Sequence, residues 1–198
     1  MALRIYTTGH STRPIAEFLE MLAAHGVRRL VDVRTVPRSG HNPQYGKQAL
    51  SASLEARGIP YQHLPGLGGL RRPRPDSVNH GWRNSSFRGY ADYMQTPEFL
   101  QSLEALIAVG ANGPTAIVCA EAVPWRCHRS LIADALIVRG IEAVEIQSAI
   151  KTSPLTLHPF AQVRGLEIIY PSETAQGTLD LSADTDPVKA TEEVRHGR

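Results

Sequence analysis

The stretch PTAIVCAEAVPWRCHRSLIADALIVRGIEAVEI, residues 114–146, decides the fold class. It opens with a short apolar run at 114–120, which is typical of a buried strand. Apolar residues then recur at helical spacing over 126–139, and Gly140 ends that helix before a second apolar strand at 141–146. A strand, a helix and a strand in this order predict a βαβ unit, whose two strands lie parallel in one sheet.

The same alternation extends toward the N-terminus and predicts one α/β domain over residues 1–171. Its architecture would be a three-layer open sheet, mainly parallel, with helices on both faces, of the Rossmann-like or flavodoxin-like kind. Residues 67–89, rich in Gly, Pro and Arg, are predicted to form a long loop, and 167–170 a small strand. The remaining predictions are strands at 3–10, 28–34 and 59–64, and helices at 14–25, 44–57 and 96–109.

Composition is typical of a soluble globular protein. Hydrophobic residues make up 42% of the chain, and no apolar run reaches the roughly 18 residues of a membrane span. The first residues, MALRIYTTGHSTR, contain neither the apolar region nor the cleavage site of a signal peptide. We therefore expect a cytoplasmic protein with no membrane partner; the composition indicates no particular oligomeric state.

Charge is distributed unevenly along the chain. The formal net charge is +2, but residues 172–198 contain six acidic and three basic residues, so the remaining residues carry a net +5. This acidic terminal segment of small residues is predicted to be a disordered tail. Eighteen of the 21 basic residues are arginine, whose planar guanidinium forms forked contacts with phosphate and carboxylate groups.

Polar residues follow each predicted strand at its carboxyl end. In a parallel sheet these ends share one edge, which is where open α/β sheets bind ligands. An ion pair between Asp32 and Arg34, with no ligand contact, is the other interpretation of those two residues. The candidates at this edge are His10, Asp32, Arg34, Arg38, His41, Asn42, His63, Cys119 and Glu121.

The stretch CAEAVPWRCHRS, residues 119–130, concentrates reactive residue types. A helix beginning near Arg126 or Cys127 would offer unpaired backbone N–H groups to an anion and would lower the pKa of a cysteine in its first turn. The chain's two cysteines both lie here, and in a reducing compartment paired thiols favour chemistry or metal binding. The other interpretation of Cys119 is a small apolar residue at the end of a buried strand.

Three chemistries fit this stretch, and the sequence leaves them open. A thiolate nucleophile could work with a histidine while arginines bind an anionic substrate. A transition metal could be bound by Cys119, Cys127 and His128, with His10 or Glu121 as a further ligand, although the C-x7-C-H spacing matches no common structural zinc pattern. A redox pair is the third, although C-x7-C is not the C-x-x-C of thiol oxidoreductases.

The leading hypothesis is an enzyme that acts on a phosphate-bearing or other anionic substrate, such as a nucleotide or nucleic acid. Cys119 would be the nucleophile or metal ligand, and His10, Glu121 and His128 would complete the catalytic group. The substrate would be bound by Asp32, Arg34, Arg38, His41, Asn42 and Arg129.

The predicted loop at 67–89 favours a different class of function. Its arginines alternate with Trp82, Phe87 and Tyr90, a combination that binds single-stranded nucleic acid. The alternatives are therefore a non-catalytic nucleic-acid-binding module serving DNA maintenance, or a metal-binding domain. A solvated loop whose aromatic rings pack on the core is the structural interpretation. The arginines are Arg71, Arg72, Arg74, Arg83 and Arg88.

Four motifs together resemble the DUF488 family of bacterial and archaeal proteins. They are TTGHST at 7–12, VDVRTVPRSGHNPQ at 31–44, HLPGLGG at 63–69 and CAEAVPWRCHRSLIADAL at 119–136. The resemblance implies a single α/β domain and, since the family is named as a domain of unknown function, no particular reaction. The residues it singles out are Gly9, His10, Asp32, Arg34, Arg38, His41, Asn42, Pro43, Cys119, Glu121, Cys127, His128 and Arg129.

Overall fold

The structure is a computed structural model that describes residues 3–172. Apart from Ser172, the predicted acidic tail lies outside the described residues. Within 3–172, no helix combines the length and the apolar character needed to cross a lipid bilayer. The elements are β1 (Arg4–Gly9), α1 (Ile15–Ala24), β2 (Arg29–Asp32), α2 (Lys47–Glu55), β3 (Tyr61–His63), α3 (Ser85–Tyr93), α4 (Pro97–Ala111), β4 (Thr115–Cys119), α5 (Arg129–Ile137), β5 (Glu142–Ser148), β6 (Lys151–Pro154), β7 (Gln162–Arg164) and β8 (Glu167–Ile169).

The main sheet has six strands in the order β3-β2-β4-β1-β5-β6. The first five strands are parallel, and β6 pairs antiparallel with β5 at the edge. Strands β7 and β8 form a separate antiparallel hairpin. This arrangement confirms the predicted α/β class with a mainly parallel sheet.

Helices cover both faces of the sheet because successive strand residues point to opposite sides. Leu30 and Val118 pack against α1 and α2 on one face, through side chains such as Phe18. Val31 and Ile117 pack against α3, α4 and α5 on the other. The two apolar clusters on either side of the sheet give the predicted three layers.

At the carboxyl ends of the neighbouring central strands β1 and β4, the chain continues toward opposite faces of the sheet. From β1 the chain runs through α1 to β2, whereas from β4 it runs through α5 to β5, on the other face. Such a point in a parallel sheet is where ligands bind. The backbone N–H groups of His10 and Ser11 donate to the carbonyls of Cys119 and Ala120, so the loops after β1 and β4 start side by side at this edge.

Three predicted boundaries are wrong, each for a local reason. The helix predicted from residue 44 begins at Lys47, after a 3-10 turn at Pro43–Tyr45. The loop predicted at 67–89 ends early, because the Asn84 side chain accepts hydrogen bonds from the N–H groups of Ser86 and Phe87 and begins α3. The helix predicted from residue 126 begins at Arg129, after a 3-10 turn at Pro124–Arg126.

Cys127 consequently lies in extended backbone before α5, with φ −132° and ψ 142°, and not in a first helical turn. Its backbone N–H donates to the carbonyl of Pro124, which closes the 3-10 turn. The predicted lowering of the Cys127 pKa by a helix start therefore does not apply. Any change in that pKa must come from neighbouring side chains.

Candidate functional site

A cleft of about 640 Å³ opens at the carboxyl edge of the sheet, where the sequence places a site. The loops after β1, β2 and β4 form its walls, with contributions from residues 69–70 and 86–87. A cleft of this size can enclose a ligand as large as a nucleotide. The predicted residues that line it are His10, Arg34, Arg38, Asn42, Cys119, Glu121, Cys127 and His128.

Two thiols and an imidazole meet in this cleft. The sulfur atoms of Cys119 and Cys127 and a ring nitrogen of His128 all lie within 4.8 Å of one another. The Sγ of Cys127 is 3.6 Å from the Nδ1 of His128. The Nε2–H of His128 donates to the backbone carbonyl of Val33 at 3.1 Å, so Nδ1 is the acceptor of the neutral ring.

The orientation of the His128 ring is also fixed by its neighbours. The backbone of Gly69 packs directly on the ring, and a Cβ at that position would lie only 2.4 Å from Nδ1. The buried ring of Tyr90 lies on another side, with the two ring centroids 5.1 Å apart. Gly69 is a site residue that sequence reasoning missed; its signal is a glycine pair just before the arginine-rich loop.

The environment separates the two thiols electrostatically. The neighbouring Cys119 thiol holds the pKa of Cys127 well below its ordinary value, and His128 and the Arg129 charge lower it further against the opposing effect of burial. The interaction with Cys127, together with burial, raises the pKa of Cys119 well above its ordinary value. Both shifts favour Cys127 as the thiol that ionises first, whereas the sequence hypothesis assigned the nucleophile to Cys119.

Arg129 does not face the cleft as predicted; it is fully buried. Its Nη1 donates to the carboxylate of Glu145 at 3.0 Å and to Thr7 Oγ1 at 2.8 Å, and its Nη2 donates to the carbonyl of Glu121 at 2.7 Å. The sequence could not reveal this, because Glu145 lies on the following strand. Arg129 therefore fixes the segment after β4 and places a positive charge beside both sulfur atoms.

Asp32 is also fully buried and does not line the cleft as predicted. Its carboxylate accepts hydrogen bonds from the Nε of Arg34 at 2.9 Å and from the Tyr61 hydroxyl at 2.7 Å. The ion pair that the sequence offered as one interpretation is thus present, and Asp32 positions Arg34. His63 supports the same strand end by donating its Nε2–H to the carbonyl of Arg34 at 2.8 Å.

His10 contacts the other side of Arg34. Its Nδ1–H donates to the carbonyl of Ser11 at 2.8 Å, and its Nε2 accepts from the Nη1 of Arg34 at 3.2 Å. Burial lowers the pKa of His10 to about 4, and its ring stacks on Tyr45 with the centroids 4.0 Å apart. His10 is therefore neutral with both ring nitrogens engaged, an arrangement suited to holding Arg34 in place.

The remaining predicted residues lie near the mouth of the cleft or away from it. Arg38 and Glu121 are exposed, Asn42 is half-buried, and all three line the cleft. His41 is exposed and is not among the described lining residues. Lining residues that sequence reasoning did not assign to the site include Ser39, Ser86, Phe87 and Arg126.

The arginine-rich segment packs on the body of the protein. Arg71 stacks on the ring of Tyr93, 3.6 Å from its centroid, and buried Asp92 accepts hydrogen bonds that fasten the segment to α3. Trp82 and Phe87 stack on each other, and Tyr90 is fully buried. The aromatic rings thus pack on the core, which is what the structural interpretation of this segment predicted. The predicted arginines outside the described cleft lining are Arg71, Arg72, Arg74, Arg83 and Arg88.

Comparison with known proteins identifies a family. The model of the DUF488 family, a domain of unknown function, matches residues 14–136. No curated protein and no solved structure matches the chain. The matched region contains Arg34, both cysteines and His128, and it covers more than half of the sequence. The chain therefore belongs to the DUF488 family.

Proposed function

We propose that this protein is a cysteine-dependent enzyme in which the Cys127 thiolate attacks an electrophilic atom of an anionic substrate bound in the cleft. The observation that carries the proposal is the contact between the Cys127 sulfur and the Nδ1 of His128, 3.6 Å apart at the lining of a cleft about 640 Å³ in volume. A nucleophile needs a neighbouring base and access to substrate, and this pair has both. Such chemistry needs reduced thiols, which the cytoplasm maintains.

The proton of the Cys127 thiol has a defined destination. His128 accepts it at Nδ1, while its Nε2–H stays hydrogen-bonded to the carbonyl of Val33 and keeps the ring in its orientation. As the sulfur forms a bond to the substrate, the bond to the leaving group breaks, and His128 can return the proton to that group. The raised pKa of Cys119 favours its neutral thiol, which lies within 4.8 Å of the attacking sulfur.

The cations of the cleft favour an anionic substrate. Arg34, Arg38 and Arg126 line it, and Arg34 is held from two sides by Asp32 and His10. A pre-positioned guanidinium binds phosphate or carboxylate oxygens without losing side-chain freedom at that step. Phosphate-bearing compounds are therefore the substrate class that we propose to test first.

The deciding experiment is alkylation of the two thiols against pH, read separately at each cysteine by peptide mass spectrometry on metal-stripped protein. We expect Cys127 to react at a pH well below the usual thiol pKa of about 8.5, and Cys119, which also lines the cleft but has a raised pKa, to react only at higher pH. Phosphorylated compounds would then be tested with the wild type and with Cys127→Ser. A Cys127 thiol that is inert in the folded protein would rule the proposal out.

A metal-assisted enzyme is a second candidate, favoured by one observation. The three ligand atoms from Cys119, Cys127 and His128 lie within 4.8 Å of one another, and two sulfurs with one nitrogen suit Zn²⁺. The Val33 carbonyl would orient His128 as outer-shell partners of metal ligands do. When bound, Zn²⁺ would be held by these three side chains and would act as a Lewis acid toward a substrate in the cleft.

Zinc titration against a competing chelator distinguishes the two candidates. A metal site predicts stoichiometric Zn²⁺ binding that Cys119→Ser, Cys127→Ser and His128→Gln each weaken, and it predicts that Zn²⁺ protects both thiols from alkylation. The thiolate proposal predicts full activity in the presence of the chelator. A nucleic-acid-binding role would instead require binding that weakens steeply as salt is raised. The arginine-rich segment gives this role less support, because Trp82, Phe87 and Tyr90 pack on the core.

A further inference from the structure

The two cysteines lie much closer in space than their sequence spacing indicates. Cys119 is the last residue of β4, and Cys127 follows the 3-10 turn that leads toward α5. The turn brings the second cysteine back beside the strand end, so that the two sulfur atoms lie within 4.8 Å of each other. The C-x7-C spacing, unlike that of known thiol oxidoreductases, is therefore no obstacle to a bond between them.

We propose that a hydroperoxide oxidises Cys127 and that Cys119 resolves the product as a reversible intramolecular disulfide. The proposal uses the same Cys127 thiolate as the proposed function, but it requires no other substrate. It makes the pair a modification site for small peroxides.

The first step consumes one hydroperoxide. The Cys127 sulfur attacks the terminal peroxide oxygen, an S–O bond forms, and the O–O bond breaks. The sulfur is oxidised by two electrons to a sulfenic acid, and the peroxide is reduced to an alcohol or water that takes up a proton. The cleft admits a small peroxide, because Cys127 is part of its lining.

The second step is attack by the Cys119 sulfur on the Cys127 sulfur. An S–S bond forms, the S–O bond breaks, and the departing hydroxide leaves as water with the proton of the Cys119 thiol. A dithiol reductant reverses the reaction by thiol–disulfide exchange and supplies the two electrons.

The roles of the two thiols follow from their surroundings. The Sγ of Cys127 lies 3.6 Å from the Nδ1 of His128, which can take up the thiol proton and leave the thiolate that attacks a peroxide. Cys119 lies within 4.8 Å of Cys127 and can reach that sulfur once it has been oxidised. The disulfide would remove the nucleophile from the cleft and switch off the proposed enzyme.

The test treats the reduced, metal-stripped full-length protein with hydrogen peroxide, stops the reaction with an alkylating reagent and measures the intact mass. We expect the wild type to lose two hydrogen atoms, to have no alkylatable thiol and to recover both thiols with dithiothreitol. Cys119→Ser should stop at a sulfenic acid that dimedone traps, and Cys127→Ser should not react.

The wild-type measurement alone can overturn the inference. Oxygen atoms added to Cys127 while Cys119 stays free, or disulfides between two chains, would refute the resolving role. If Cys127 is still alkylated rapidly at neutral pH, the proposed function survives that failure. If Cys127 reacts with neither the peroxide nor the alkylating reagent, both proposals fail together.

Discussion

At the scale of single residues, His10 gives this protein a pH-dependent stability. The folded protein holds His10 neutral with a pKa of about 4, whereas the unfolded chain takes up the proton near 6.5. The contribution of His10 to stability is therefore complete above pH 6.5 and is lost as the pH falls toward 4.

We expect this loss to lower the free energy of unfolding by about 3 kcal/mol across that interval. The measurement is urea unfolding of the wild type and His10→Gln at neutral pH and near pH 4. The variant lacks the titrating imidazole, so the difference in unfolding free energy between the two proteins should shrink as the pH falls. An unchanged difference would show that another group controls acid stability.

Gly69 tests whether the position of His128 controls the thiolate. In Gly69→Ala the new Cβ must displace the imidazole, because it would otherwise lie 2.4 Å from Nδ1. We expect alkylation of Cys127 at neutral pH to slow several-fold while the fold is retained. Gly40→Ala is the matched control, since a Cβ at position 40 meets no atom within 4 Å. Equal alkylation rates in the two variants would contradict the role of His128.

The residues of the site differ in how far the sequence could predict them. Arg34 and Cys119 were predictable because they follow buried parallel strands, whose carboxyl ends must share an edge. The inward direction of Arg129 was not, because it depends on Glu145, which another element supplies. Local spacing does not reveal which of several polar residues finds a buried partner.

At the scale of elements, the link between α5 and β5 depends on a buried ion pair. Arg129 and Glu145 are both almost fully buried, with their charged atoms 3.0 Å apart. Arg129→Met leaves a buried carboxylate unpaired, and we expect it to cost about 3–5 kcal/mol of unfolding free energy. Adding Glu145→Leu should recover most of that loss in urea unfolding. A double variant as unstable as Arg129→Met would contradict this account.

The start of α5 shows why its boundary escaped prediction. The apolar spacing of residues 126–139 satisfies a helix throughout, but Pro124 opens a 3-10 turn whose closing hydrogen bond ends at Cys127. The α3 helix, in contrast, had a readable signal in Asn84, a residue favoured at helix starts.

At the scale of the whole molecule, the alternation of strands and helices was enough to predict the fold class. Parallel strands joined by helices must cross over in one hand, so few architectures remain. The order of the strands and the antiparallel edge strand β6 were not predictable in the same way. The strand order depends on pairings between distant segments, such as Ile5 with Thr115. Strand β6 is a local partner that folds back on β5, with Ile146 opposite Thr152, and its polar sequence carries no clear strand pattern.

The pairing of β1 with β4 also has a consequence for biosynthesis. Ile5 leaves the ribosome long before Thr115, yet the two are neighbours at the centre of the sheet. The apolar residues of β1 therefore stay unpaired until more than half of the protein has been translated. Pairings so distant along the chain slow folding, and they expose the growing polypeptide to aggregation. Arrested nascent chains that end before β4 should accordingly be digested by protease along their whole length and should depend on chaperones.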